Sequence, residues 1–133
     1  VGIKERWKGY KGLPEDILTR VENLKDIFKK HGVTLAYLFG SLARNKTNDD
    51  IDIAVLSRQK NLLSLIEDIS IILGTDRIDI IDLSQASPVM RMNIIKSGKL
   101  IYKENGSIEN EFESRVLKEY RDTAFLRMKQ RKI

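Results

Sequence analysis

The chain has 133 residues, with 24 basic and 19 acidic side chains, one histidine, no cysteine and a net charge of +5. That length suits one domain with a real core, taken here as residues 1–133. The composition excludes a disulfide framework, thiol chemistry and a structural zinc site. No apolar run approaches the roughly 18 residues of a membrane span and no secretory pattern opens the chain, so a soluble cytoplasmic protein is expected.

The charge is uneven. Residues 1–12 contribute +3 and residues 112–133 contribute +4, leaving −2 between them. Basic ends aid solubility, or meet an acidic partner or an RNA backbone. RNA recognition is not expected, because no strand face interleaves aromatic side chains with Lys and Arg.

The basic N-terminal segment 1–12 has no clear period, and its Trp7 and Tyr10 are expected to pack against the core or a partner. Pro14, Glu15 and Asp16 suit the start of a helix, where a missing N–H and negative charge are both tolerated. Ile17, Val21, Leu24 and Phe28 follow at helical spacing. Lys29, Lys30, His31 and Gly32 form the stop, with His31 read as a helix-end residue. Val33 to Phe39 is almost entirely apolar, which predicts a strand buried on both faces.

Gly40-Ser41 then makes a tight turn whose free N–H groups suit a phosphate. Taken alone, such a turn is ordinary. Arg44 and Lys46 follow in a loop, either as surface charge or as phosphate contacts. A second strand opens with Asp50-Ile51-Asp52. Residues two apart in a strand share a face and stand about 6.5–7 Å apart. Asp50 and Asp52 therefore lie on one face, and Ile51, Ile53 and Val55 on the other. Paired carboxylates on an open face can hold divalent cations, which prefer hard oxygen ligands.

Leu62, Leu65, Ile66, Ile69 and Leu73 form a helical stripe over Asn61 to Leu73, closed by Gly74. The third strand, Arg77 to Leu83, carries Asp79 and Asp82 on opposite faces. If Ile78 and Ile80 face the helices with Ile51 and Ile53, Asp79 joins Asp50 and Asp52. Asp82 remains the alternative. Ser87-Pro88 starts a helix bearing Val89, Met92 and Ile95. After Gly98, Lys99 to Tyr102 reads as a short edge strand, and Glu104-Asn105-Gly106 as a turn. A C-terminal helix over about 107–133 carries Phe112, Val116, Tyr120 and Ala124, with its end beyond Arg127 expected to fray.

The run LAYLFGSLARNKTNDDIDIAVL, residues 35–56, resembles the signature of the DNA polymerase β nucleotidyltransferase superfamily. That signature is Gly-Ser followed, after a loop, by Asp-x-Asp in a strand. More narrowly, the chain resembles the minimal nucleotidyltransferases, small antitoxins encoded beside HEPN-domain toxins. The resemblance implies an α/β (α+β) fold: a small mixed, twisted sheet with helices packed on one face and a carboxylate cluster on the other. It implies Asp50, Asp52 and Asp79 as catalytic acids and as ligands of two Mg²⁺ ions, with Gly40, Ser41 and Arg44 contacting the nucleotide. It further implies ATP as substrate and transfer of AMP to a tyrosine of a partner HEPN-domain RNase toxin. An antitoxin that neutralises by binding alone is the alternative. Two departures bear on catalysis more than on fold. Only eight residues separate Ser41 from Asp50, about two fewer than is commonest, and Asp49 stands where Ser is usual.

Overall fold

The computed structural model describes residues 17–40 and 50–131. Outside the described residues lie the segment 1–12 with Trp7 and Tyr10, the helix start at Pro14 to Asp16, and Ser41, Arg44, Lys46 and Asp49.

The chain begins with two short helices, α1 (Ile17–Glu22) and α2 (Lys25–Lys30), where the periodicity predicts one. The break falls at Asn23 and Leu24. Their N–H groups bond to Arg20 O and Val21 O, both at 3.1 Å, and these three-residue closures tighten the turn. The break does not spoil the stripe, since Val21, Leu24 and Phe28 are all buried. After Gly32 the chain enters β1 (Val33–Phe39), then β2 (Ile51–Ser57), α3 (Leu63–Leu73), β3 (Ile78–Asp82), α4 (Pro88–Ser97) and β4 (Lys99–Lys103). Two helices close the order, α5 (Gly106–Asp122) and α6 (Ala124–Arg131).

The strands form one mixed sheet in the order β3-β2-β1-β4. Strand β1 is antiparallel to both β2 and β4, whereas β2 and β3 run parallel. Strand β4 lies at an edge, as expected. On the first face, Ala36, Leu38, Ile51, Ile53 and Val55 pack against Val21, Leu24 and Phe28 and against Leu65, Ile69 and Leu73 of α3. On the second, Leu35, Tyr37, Ala54 and Leu83 meet Ile94 of α4 and Phe112 and Val116 of α5. The helical cover is therefore more extensive than a layer on one face. Leu35 and Tyr37 already demand it, because β1 is apolar on both sides and must be buried on both.

Local chemistry sets the helix ends. The Ser87 hydroxyl accepts from Met90 N at 3.1 Å at the start of α4. The Asn105 side chain accepts from Ile108 N at 2.9 Å, so the expected turn there is the N-cap of α5. The C-terminal helix, expected as one, is divided at Thr123, and α6 runs from there to Arg131. Arg127 holds it: its guanidinium stacks 3.8 Å from the Tyr120 ring and donates to Tyr120 O at 2.9 Å and Thr123 Oγ1 at 2.7 Å. Among the described residues no helix is long and apolar enough to cross a membrane.

Candidate active site

The site forms where β1 ends and the parallel strands β2 and β3 begin. Register alone assembles it. Asp52 pairs with Phe39 across the antiparallel ladder and with Asp79 across the parallel one. The pairing of Ile51 with Ile78 and of Ile53 with Ile80 sends these isoleucines into or against the first core. Asp52 and Asp79 consequently share the second face, side by side on neighbouring strands. Asp82 pairs with Val55, a residue of the first core, and its carboxylate accepts from Ser84 N at 2.9 Å and Ser84 Oγ at 2.7 Å. It caps a turn and stands apart from the other acids.

Asp50 precedes β2 by one residue and is more open than Asp52, with its side chain 56% exposed. Its Oδ1 accepts from Arg77 Nε at 3.2 Å. Asp52 is half-buried. Its carboxyl is pushed above the usual carboxylate range, first by desolvation and then by the charges of Asp79 and Asp50. Three acids within mutual electrostatic reach form a group that a positive charge would relieve.

Gly40 completes the described part. Its φ is +73°, a left-handed conformation that residues with a Cβ adopt only under strain. A Cβ built there would also collide with the Asp52 carboxylate. The turn thus needs glycine twice, for its backbone conformation and for its close approach to an acid. Gly40, Asp52 and Asp79 are brought together, with Asp50 at the margin; Ser41 and Arg44 lie outside the described residues.

Arg77 is the group that sequence reasoning missed. It reads as the first residue of a strand, and nothing local marks it as a partner of Asp50, since their meeting depends on the parallel pairing of β2 and β3. Among the described residues no three acid, histidine or cysteine side chains stand together so as to hold a metal ion in this arrangement. The donor set nevertheless suits a hard divalent cation in its chemistry: carboxylates on neighbouring strands, with Asp52 facing the charges of Asp79 and Asp50.

Acids on adjoining strands beside a strand–glycine turn suit metal-assisted transfer to or from a phosphorylated substrate. The family described as Polymerase beta, Nucleotidyltransferase matches residues 22–107, and the chain belongs to that family. No curated protein matches it. Solved structures share the fold. One, a toxin–antitoxin MntA–HpeT mutant, has 24% identity over 81% of this chain and 92% of that chain, with a TM-score of 0.69. A toxin–antitoxin with AMP-PNP has 24% identity over 87% and 94%, with a TM-score of 0.66. A tri-AMPylated Shewanella oneidensis HEPN toxin in complex with MNT antitoxin has 24% identity over 84% and 92%, with a TM-score of 0.67.

Proposed function

We propose that this chain is an antitoxin that transfers AMP from ATP to a tyrosine hydroxyl of an HEPN-domain RNase toxin in the cytoplasm, and thereby silences it. The observation that carries this reading is the register of Asp52 beside Asp79, with Gly40 pressed against Asp52. The family supports nucleotidyl transfer as the chemistry. A structural neighbour that is an AMPylated HEPN toxin bound to an antitoxin supports the acceptor class. Another, which holds AMP-PNP, supports ATP as the donor.

Asp50, Asp52 and Asp79 would hold Mg²⁺, expected as two ions. When bound, Mg²⁺ supplies charge neutralisation at the phosphates and acidifies the acceptor hydroxyl. The acceptor oxygen forms a bond to the α-phosphorus as the bond to the bridging α–β oxygen breaks, and pyrophosphate leaves. The hydroxyl proton passes to Asp79, which is exposed and therefore able to release it to water. Gly40 and Ser41 would steady the departing phosphates, with Arg44 as a further contact. Positioning and charge supply most of the effect.

Mass spectrometry of the cognate toxin tests the reading. Incubation with ATP and Mg²⁺ should add the mass of AMP to a toxin tyrosine, and chelation with EDTA should abolish the adduct. The spacing of only eight residues between Ser41 and Asp50 in the sequence favours a second reading, neutralisation by binding alone. Inhibition of the toxin with no adduct would establish that reading in place of the first.

A further inference from the structure

Arg77 is built into the site more firmly than the acid it touches. Its N–H donates to Thr75 Oγ1 at 3.0 Å, and Thr75 is buried. Its carbonyl accepts from Ile51 N, also at 3.0 Å, which ties the entry of β3 to the entry of β2. The Arg77 side chain is only 19% exposed, against 56% for Asp50. The guanidinium is therefore the fixed partner and the carboxylate the movable one. Contact is through a single Nε–Oδ1 bond of 3.2 Å rather than the two-pronged pairing that makes arginine–carboxylate bonds strong. Such a bond orients an acid and can be given up.

We propose that Arg77 is the resident counter-cation of the acid group: it holds Asp50 in the metal-free protein and yields it when a divalent cation binds. The two cations compete for one carboxylate. Arg77 thus weakens the binding of bare metal and keeps the like charges of Asp50, Asp52 and Asp79 from acting unopposed in the resting fold. It is a positioning residue, acting through Asp50. This inference rests on the metal-dependent reading of the site.

The test is calorimetric titration of the whole chain with Mn²⁺, without nucleotide. Arg77→Gln should bind Mn²⁺ at least about fivefold more tightly than wild type, the lower end of ordinary coupling between competing ligands. Arg77→Lys, which keeps the charge, should fall between the two. Direct competition requires Asp50. In an Asp50→Asn background the Arg77→Gln gain should therefore drop below about twofold. Thermal unfolding provides a second reading: Arg77→Gln should melt lower than wild type without metal, and Mn²⁺ should raise its melting temperature by more. Equal or weaker Mn²⁺ binding by folded Arg77→Gln would overturn the proposal and leave the metal-dependent reading standing. An undiminished gain in the Asp50→Asn background would also overturn it, since the effect would then be long-range charge alone. Absence of Mn²⁺ binding by wild type, with ATP or without it, would overturn both.

Discussion

Strand β2 presents two unlike regions a single residue apart. Ile51, Ile53 and Val55 are at most 1% exposed and pack between the α1–α2 pair and α3. Asp52, between two of those isoleucines, faces like charges from Asp79 and Asp50 and is too buried to be well solvated. One side of the strand gains stability from every contact, and the other gives some of it up to keep carboxylates together. Burying an Ile, Leu or Val side chain contributes roughly 1.5–3 kcal/mol, so the apolar side can carry the burden of the acidic one. The same backbone ladder serves both, which is why the acids are held in register by residues that never touch substrate.

The largest effect that would sharpen this contrast is on chemistry. Asp79→Asn keeps the side-chain shape and removes its basicity, so the proposed AMP transfer to an HEPN toxin should fall by roughly 10²–10⁴ while binding to that toxin is retained. Adduct formation followed by mass spectrometry, beside a pull-down, reads both. Asp82→Asn should do far less, because that carboxylate caps the Ser84 turn. On the apolar side, Ile53→Ala should lower the unfolding free energy by about 2–5 kcal/mol in urea melts, through lost burial and a residual cavity.

A smaller loss is expected at the junction of the two regions. Gly40→Ala imposes a left-handed alanine and drives a methyl group into the Asp52 carboxylate. The destabilisation should be about 1–3 kcal/mol in the same urea assay, together with weaker ATP binding by calorimetry. The smallest effect has the opposite sign. Asp52→Asn should leave the metal-free melting temperature unchanged or raise it by a few degrees. The pH dependence follows from the direction of the shift. The folded-state value of Asp52 lies above its ordinary 3.8, so the fold is favoured while the group is protonated. That advantage is lost as pH rises through the raised value. The mutant's margin over wild type should accordingly be wider at pH 7 than near pH 4. A fall of several degrees at pH 7 would mean that Asp52 is tied into the fold and that the contrast within β2 is false.

Much of this was legible because it is local. Alternation around Ile51 and Ile53 separates the two faces of β2, and the same parity applied to Ile78 and Ile80 selects Asp79 over Asp82 for the acid face. Ser87-Pro88 and Gly74 mark helix ends by their own chemistry. What escaped depends on segments far apart in the chain. The pairing of Arg77 with Asp50 needs the parallel register of β2 and β3. That β1 is buried on both faces was legible, but that α4 and α5 supply the cover over Leu35 and Tyr37 was not. The break at Asn23 and Leu24 leaves the apolar spacing intact, so periodicity passes over it. Ser41 and Arg44 lie outside the described residues, and the part in nucleotide binding proposed for them stands on the signature alone.

Among the described residues strand β3 is an edge of the sheet, bonded along one side, yet it carries Asp79. Edge strands are usually the first to open in local unfolding. Here the far end is fastened by Arg91, whose guanidinium donates to Leu83 O at 2.7 Å, to Ser84 O at 2.9 Å and to Glu119 Oε1 of α5 at 2.7 Å. The near end is fastened by the Ile51–Arg77 bond. With both ends pinned, peeling β3 from the sheet must break an arginine cluster or detach α5. The amide of Leu83, bonded to Val55 O at 2.9 Å, should therefore exchange its hydrogen slowly for a residue at the rim of a sheet. The proton acceptor of the proposed reaction is thus carried on a strand anchored at both ends.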